Sequence, residues 1–401
     1  MKNVLQIQFG SKSAGSSAWR LHQAFTNSSY HSEVLSLLPD RTKREGVTYL
    51  SKNANLISKI NNKLEAFLFK YDKEKYGLYS NPLIGSSLIS HPSFKRADVV
   101  YIHWVQMGFL TLRQLEKIAQ SGKRIIIVMH DMWWITGGCH NSINCEQYKT
   151  GCSACPIFSG KFAPTAAQVT LKKRILSYPN VSIITPSIWL KDIVKQSFIG
   201  IDSKVSHIPN FFDLACFKPD TEKNKNKDMS GENKVKLISF AAVNISSVYK
   251  GFSYLKKALE YLPEIYPDQE IEIQMIGSGN VGDLSTIPYK INRLGYLEEE
   301  SEIAKAFAKS DLFVIPSIME NQPTVIIESL SCGVPVVGFK IGGIPDMIAH
   351  MENGYLAEPR DFKSLAEGIK YCLENNLIGY RLEAYQPQHV LEKHLSYLNQ
   401  E

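Results

Sequence analysis

The sequence predicts an α/β chain with two doubly wound parallel sheets in tandem, and three observations carry that expectation. Short β-branched runs alternate with helical stretches, the pattern of a parallel sheet covered by helices on both faces. The alternation stops at residues 220–234, DTEKNKNKDMSGENK, a polar stretch without period that reads as a surface loop or linker, and then restarts. With 401 residues, 44% of them hydrophobic and 21% charged, the chain is long enough for two cores. The expected division is residues 1–205, joined by about 385–401, and residues 206–384.

The elements follow in order. NVLQIQF reads as a strand, a polar loop with Gly10 and Gly15 follows, and Trp19 to Phe25 is periodic as a helix. ADVVYIHWV, KRIIIVMHD and VSIITPS are buried-strand runs that complete the first set. VKLISFAAV, IEIQMIGS, YKINRLGYL, DLFVIPS and PVVGFK form the second, with helical stretches at Phe252 to Leu262 and Ser301 to Ala308. A terminal amphipathic helix is expected at Val390 to Leu398, with Val390, Leu391, His394, Leu395 and Leu398 on one side. Two such Rossmann-like domains put the carboxyl ends of their strands, the usual ligand sites, where they can face each other across a cleft. The pattern alone therefore reaches an enzyme of phosphorylated ligands.

Composition removes several classes. The apolar runs, such as Ile125 to Met129, are far short of the ~20 residues a membrane span requires. The N-terminus opens on VLQIQF without the apolar core and cleavage site of a secretory leader, so a cytoplasmic protein is expected. The formal charge of +6 is unevenly spread: residues 1–205 carry 26 Lys and Arg against 12 Asp and Glu, and the remainder 19 against 27. A basic first half is expected to face an anionic partner, whether nucleic acid, lipid or phosphate-bearing ligand.

The most informative segment is DLFVIPSIMENQPTVIIESLSCGVPVVGFKIGG. It places Glu320 in a loop after a strand, Pro323 at the start of a helix and Glu328 within that helix. A helix N-terminus offers backbone N–H groups to an anion, and flanking carboxylates accept hydrogen bonds from sugar or ribose hydroxyls. This segment resembles glycosyltransferase family 4: two glutamates separated by seven residues, then Cys-Gly-Val-Pro-Val-Val and Gly-Gly. The resemblance extends from the Gly10 to Gly15 loop through His130 and IPNFFD to NGYLAEP, in the branch of bacterial capsule and colanic acid transferases. It implies the GT-B fold, with a central cleft and a last helix that crosses back to the first domain. It also implies a nucleotide-diphosphate-sugar donor and retention of anomeric configuration.

The family's residue roles fall on specific positions here. Glu328 would hold the nucleotide ribose, Glu320 would stand by the donor sugar, and the amides of Asn321 and Gln322 would run past it. Lys250 in SSVYKGF matches the phosphate-binding lysine; Asn244 stands nearest the place where many members carry an Arg, and Arg293 is a candidate replacement cation. His130, at the end of KRIIIVMHD, matches the donor-side histidine, and His103 and Trp104 are expected on the acceptor side, the Trp either stacking on a sugar or packing in the core. Gly15 belongs to the loop that approaches the donor. The chain has no Asp-x-Asp triplet, so no catalytic metal is expected.

Two features stand outside these roles. Cys139, Cys145, Cys152 and Cys155 lie in TGGCHNSINCEQYKTGCSACP, and the terminal Cys-x-x-Cys suits a structural zinc site; two disulfides or four free thiols are the alternatives. Residues 55–76 form a basic amphipathic helix with Leu56, Ile57, Ile60, Leu64, Phe67 and Leu68 on one face and Lys59, Lys63, Lys70, Lys73 and Lys75 around it. Such a helix is either an ordinary domain helix or a contact with an anionic membrane. The expected function is transfer of a sugar to a glycan hydroxyl, with a lipid-linked acceptor, in bacterial surface polysaccharide synthesis. A GT-B sugar-nucleotide isomerase or hydrolase is one alternative. A nucleic-acid-binding protein is the other, and it ranks last because the chain lacks an RNP-like aromatic strand and the cysteine spacing matches no finger; no nucleic-acid partner is expected.

Overall fold

The computed structural model describes residues 2–10, 17–26, 28–38, 44–143, 145–158, 164–200, 204–220 and 235–400. Gly15 and all but the first residue of the expected linker lie outside the described residues. The chain divides into two compact units, Met1–Phe212 with Val390–Glu401, and Asp213–His389.

Among the described residues the first unit holds seven parallel strands: β1 (Asn3–Gly10), β2 (His31–Leu38), β3 (Val47–Tyr49), β4 (Val99–Ile102), β5 (Arg124–Val128), β6 (Val181–Thr185) and β7 (Val205–His207). Their order is β3-β2-β1-β4-β5-β6-β7, so the chain reverses its direction of travel between β1 and β4. β4 (VVYI) is buried throughout and β5 (RIIIV) at all but its first residue, which is why they read as unbroken apolar runs.

One face of this sheet packs the cluster that includes Leu5, Ile7, Val100, Ile102, Ile125 and Ile127. The other packs Val4, Tyr101, Ile126 and Ile184 against Phe25 and the terminal helix Pro387–Asn399. That helix buries Val390, His394 and Leu398, one residue per turn on one stripe. Its C-terminal carbonyls are met by Arg124, which donates from Nη2 to Tyr397 O at 2.6 Å and from Nη1 to Leu398 O at 2.7 Å. The expected return of the last helix to the first sheet is thus observed.

Among the described residues the second unit holds six parallel strands: β8 (Lys236–Asn244), β9 (Ile271–Ser278), β10 (Lys290–Gly295), β11 (Leu312–Ile315), β12 (Val336–Phe339) and β13 (Gly354–Ala357). Their order is β10-β9-β8-β11-β12-β13, with the reversal between β8 and β11. Helices Phe252–Ile265 and Phe362–Glu374 cover one face through Leu255, Leu259, Leu365 and Ile369.

The basic helix differs from expectation in length. It runs from Lys52 to Leu68 rather than to residue 76, capped by Ser51 Oγ, which accepts from Ala54 N at 3.1 Å. Beyond it Phe69 packs edge-on against Tyr79 and Phe158, and Tyr71 OH accepts from Tyr79 N, so the chain is drawn inward before a short helix Lys73–Tyr76. Its buried residues are Ala54, Ser58, Asn61 and Glu65, whereas the apolar stripe is exposed.

Candidate active site

In the second unit the site gathers at the reversal between β8 and β11, where open α/β sheets bind ligands. The loop after β8 carries Lys250 and the loop after β11 carries Glu320; Lys250 Nζ donates to Glu320 Oε1 at 2.6 Å. Two glycines allow these loops to meet. Gly251 has φ +68°, and a Cβ there would lie 1.8 Å from Pro316 O. Gly342 has φ +58°, and a Cβ there would lie 2.0 Å from Glu320 O, which also accepts from Gly343 N at 3.0 Å. Only glycine suits such positions.

Glu320 is followed by helix Thr324–Ser331, with Pro323 as N-cap and no capping side chain, so its first-turn amides point toward the loop that carries Glu320. Glu328 is half-buried within that helix, one turn before Cys332. Burial pushes the Cys332 thiol up to about 12, with the Glu328 charge adding, and Cys216 is raised by burial and by nearby carboxylates that include Glu328. Asn244, the last residue of β8, turns its Oδ1 to Ser246 N at 3.0 Å and Ser246 Oγ at 2.6 Å. Arg293 stands exposed on the edge strand β10, two strands from β8, whereas Lys250 and Glu320 meet directly.

In the first unit the corresponding reversal lies between β1 and β4, and the polar residues there belong to a buried chain. Gln6 Oε1 lies 2.7 Å from His103 Nε2, and His103 Nδ1 lies 3.0 Å from His130 Nε2, with the two imidazoles stacked. With Gln6 accepting through its carbonyl, His103 is protonated on Nε2 and accepts on Nδ1, and His130 donates from Nε2. Burial holds His130 down to about 4, with Asp131 opposing it in part. Burial and the two histidines nearby, His130 and His394, hold His103 well below the usual range. Both rings are therefore neutral at pH 7, and His130 offers a hydrogen bond rather than a charge.

Trp104 packs in the fold instead of standing clear of it. Its Nε1 donates to Asp131 Oδ2 at 3.0 Å, and its ring meets Phe9 edge-on. Asp131 is a hub: Oδ2 lies 2.6 Å from His140 Nδ1, Oδ1 accepts from Trp133 N at 2.8 Å, and His140 Nε2 lies 2.9 Å from Ser80 Oγ. Burial alone would raise the Asp131 carboxyl, but His140 and the Trp133 and Trp104 N–H groups outweigh it and hold it below the usual range. The Ser80, His140 and Asp131 order matches that of a nucleophilic triad, yet Ser80 is wholly buried, so the set braces the loops around His130 and Trp104.

Cys139, Cys145, Cys152 and Cys155 line one small cavity of about 30 Å³ beside Tyr148 and Thr165, and no disulfide joins them. Burial, with the other cysteines adding, pushes Cys139 up to about 12; burial likewise takes Cys152 to about 11. Among the described residues no three His, Cys, Asp or Glu side chains are grouped to hold a metal ion. Lys172, in the basic run LKKR, is fully buried. It donates to Trp133 O at 2.5 Å and Thr136 O at 2.9 Å, with burial pulling it down to about 7. Sequence reasoning missed Lys172 and also Gln6; a glutamine inside the apolar run VLQIQF was the available signal for the latter.

Comparison with known proteins meets this geometry at its second unit. Residues 236–375 match the family model described as glycosyl transferases group 1. An uncharacterized glycosyltransferase of Haemophilus influenzae is 30% identical over 167 residues, 40% of this chain and 46% of that protein. A putative colanic acid biosynthesis glycosyl transferase of Escherichia coli is 21% identical over 82% of this chain and 81% of its own. A UDP-Gal:alpha-D-GlcNAc-diphosphoundecaprenol alpha-1,3-galactosyltransferase of Escherichia coli is 28% identical over 46% of this chain and 49% of its own. The match thus spans about half the length of the Haemophilus protein and of the galactosyltransferase.

Among solved structures, sucrose-phosphate synthase from Thermosynechococcus elongatus superposes with TM-score 0.66 at 13% identity, covering 100% of this chain and 99% of that one. Anabaena HepE in complex with UDP-glucose superposes with TM-score 0.60 at 15% identity, each chain covered in full at 100%. Residues 236–375 are thus similar to the glycosyl transferases of group 1, and the chain shares the GT-B fold of these solved structures.

Proposed function

We propose that the chain is a retaining glycosyltransferase that moves a hexose from a nucleotide-diphosphate sugar to a hydroxyl of a lipid-linked glycan in surface polysaccharide synthesis. The observation that carries this reading is the Lys250–Glu320 pair at the β8/β11 reversal, directly before the Thr324–Ser331 helix and within the matched segment. Support for the donor comes from HepE, solved with UDP-glucose, and support for the acceptor from the galactosyltransferase that acts on a diphosphoundecaprenol-linked sugar.

In this reading the acceptor oxygen bonds to the anomeric carbon as the bond to the diphosphate breaks, and the hydroxyl proton passes to the departing diphosphate. Lys250 Nζ meets the charge that develops on that leaving group, joined by the helix N-terminus. Glu320 positions Lys250 and accepts from a sugar hydroxyl, and Glu328 accepts from the ribose. Neutral His130 gives its Nε2–H to His103, so toward a sugar hydroxyl it acts as an acceptor at Nδ1.

The test is thermal shift across UDP-, GDP- and ADP-sugars, followed by donor turnover with and without diphosphate-lipid-linked glycans. One nucleotide sugar should raise the melting temperature, and Glu328→Ala should weaken that donor by ~1.5–3 kcal/mol in calorimetry. Turnover that needs no acceptor would replace the transferase with a hydrolase or isomerase; unchanged donor affinity in Glu328→Ala would remove the ribose role.

A further inference from the structure

The helix Lys52–Leu68 carries its amphipathicity reversed. Its polar stripe is buried and bonded: Ser58 Oγ donates to Met107 O at 2.6 Å, Asn61 Oδ1 accepts from Leu83 N and Ile84 N at 2.8 and 3.1 Å, and Glu65 Oε2 accepts from Asn81 N at 3.2 Å. Gly108, at φ +75°, lets the neighbouring loop close on Asn61, whose Cβ would lie 2.5 Å from an added methyl. The orientation is therefore fixed by specific bonds.

The opposite stripe stands in solvent, with Leu56 57%, Ile60 43%, Leu64 38%, Phe67 73% and Leu68 56% exposed. Leu83 and Ile84, held beside the helix by Asn61, are exposed as well. Isolated exposed apolar residues are ordinary, but a row repeated over four turns of one helix is a patch that a partner covers. Charge selects the partner. Residues 52–75 carry Lys52, Lys59, Lys63, Lys70, Lys73 and Lys75 against Glu65, Asp72 and Glu74, and Glu65 is turned inward. A second copy would set these lysines against themselves, whereas an anionic surface pairs with them.

We propose that this face docks on an anionic lipid bilayer. The helix lies in the plane of the headgroups with Leu64 and Phe67 in the acyl boundary and the lysines on lipid phosphates. At about 25 Å long it lies on the surface, and no helix among the described residues is long and apolar enough to cross a membrane. The inference rests on exposure and charge, not on the proposed sugar transfer, so its test needs no donor or acceptor.

The full chain is sedimented with vesicles of phosphatidylcholine alone and of phosphatidylcholine with about one third phosphatidylglycerol. Binding is expected to the anionic vesicles, weakened by salt, and much less to the neutral ones. Leu64→Ser with Phe67→Ser should weaken it about tenfold or more, and Lys59→Glu with Lys63→Glu by a similar factor, with melting temperatures unchanged because all four side chains are exposed. No binding to anionic vesicles, or undiminished binding by the Leu64 and Phe67 variant, overturns the proposal. A dimer in light scattering that this variant abolishes, without vesicle binding by the parent, assigns the face to a second copy instead.

Discussion

Replacing Lys250 by Met separates two roles that the same ion pair could play. The Nζ to Oε1 distance is 2.6 Å, but the lysine side chain is 37% exposed and its Glu320 partner 13%. Water therefore screens the pair, and exposed pairs of this kind contribute about 0–1 kcal/mol to stability. If the lysine meets charge that develops on a leaving diphosphate, its loss costs roughly 10²-fold or more in turnover, about 2.7 kcal/mol of barrier. Lys250→Met should then leave the urea midpoint nearly where it was while saturated turnover collapses. The assay pairs urea denaturation with single-turnover kinetics at saturating donor. A variant that loses several kcal/mol of stability yet turns over normally would refute the catalytic reading and make the pair structural. Normal turnover with a raised donor requirement would make Lys250 a ground-state clamp.

Three other outcomes follow from the geometry. Gly342→Ala must displace Glu320, since the added methyl would lie 2.0 Å from its carbonyl oxygen; turnover should fall about 10²-fold while the circular dichroism spectrum is retained. Leu398→Ala, at a site 1% exposed, should cost about 2–4 kcal/mol in urea denaturation and act on the first unit. His130 and His394 are held by burial to about 4 and about 3, below the ~6.5 of an unfolded histidine, so the unfolded chain binds their protons first as pH falls. Each such histidine should take away ~1.4 kcal/mol of stability per pH unit as pH falls below about 6.5; His394→Gln should flatten that slope in urea titrations.

The sheets were legible because their inner strands are nearly continuous apolar runs, a pattern that burial on both faces imposes. β2 escaped because HSEVLSLL interrupts its apolar residues with polar ones, of which Ser36 is fully buried and bonds to Leu38 O. β3 and β7 are three residues each, too short to leave a period. The residues of the second-unit site were legible one by one, but their assembly was not. Lys250 and Glu320 are seventy positions apart, and only the adjacency of β8 and β11 brings them together. Helical periodicity behaved likewise at Lys52–Leu68: it identified the two faces correctly and carried no information about which one the domain would bury.

The two reversals differ in electrical character, and that difference bears on what each does. At β8/β11 the groups are ionic: a lysine, its glutamate partner and a second glutamate one helix further on. At β1/β4 the chain of Gln6, His103 and His130 is neutral, because burial withholds the proton that would charge either imidazole. In the proposed reading a doubly charged diphosphate would find its cation at Lys250, whereas a sugar hydroxyl needs only an uncharged partner, and the Nδ1 of neutral His130 would serve as its acceptor. The Asp131, His140 and Ser80 network serves the same economy of charge. Its single anion is taken up by His140 and by the Trp133 and Trp104 N–H groups, so it fixes the loops after β4 and β5, and its charge offsets only part of the effect of burial on His130.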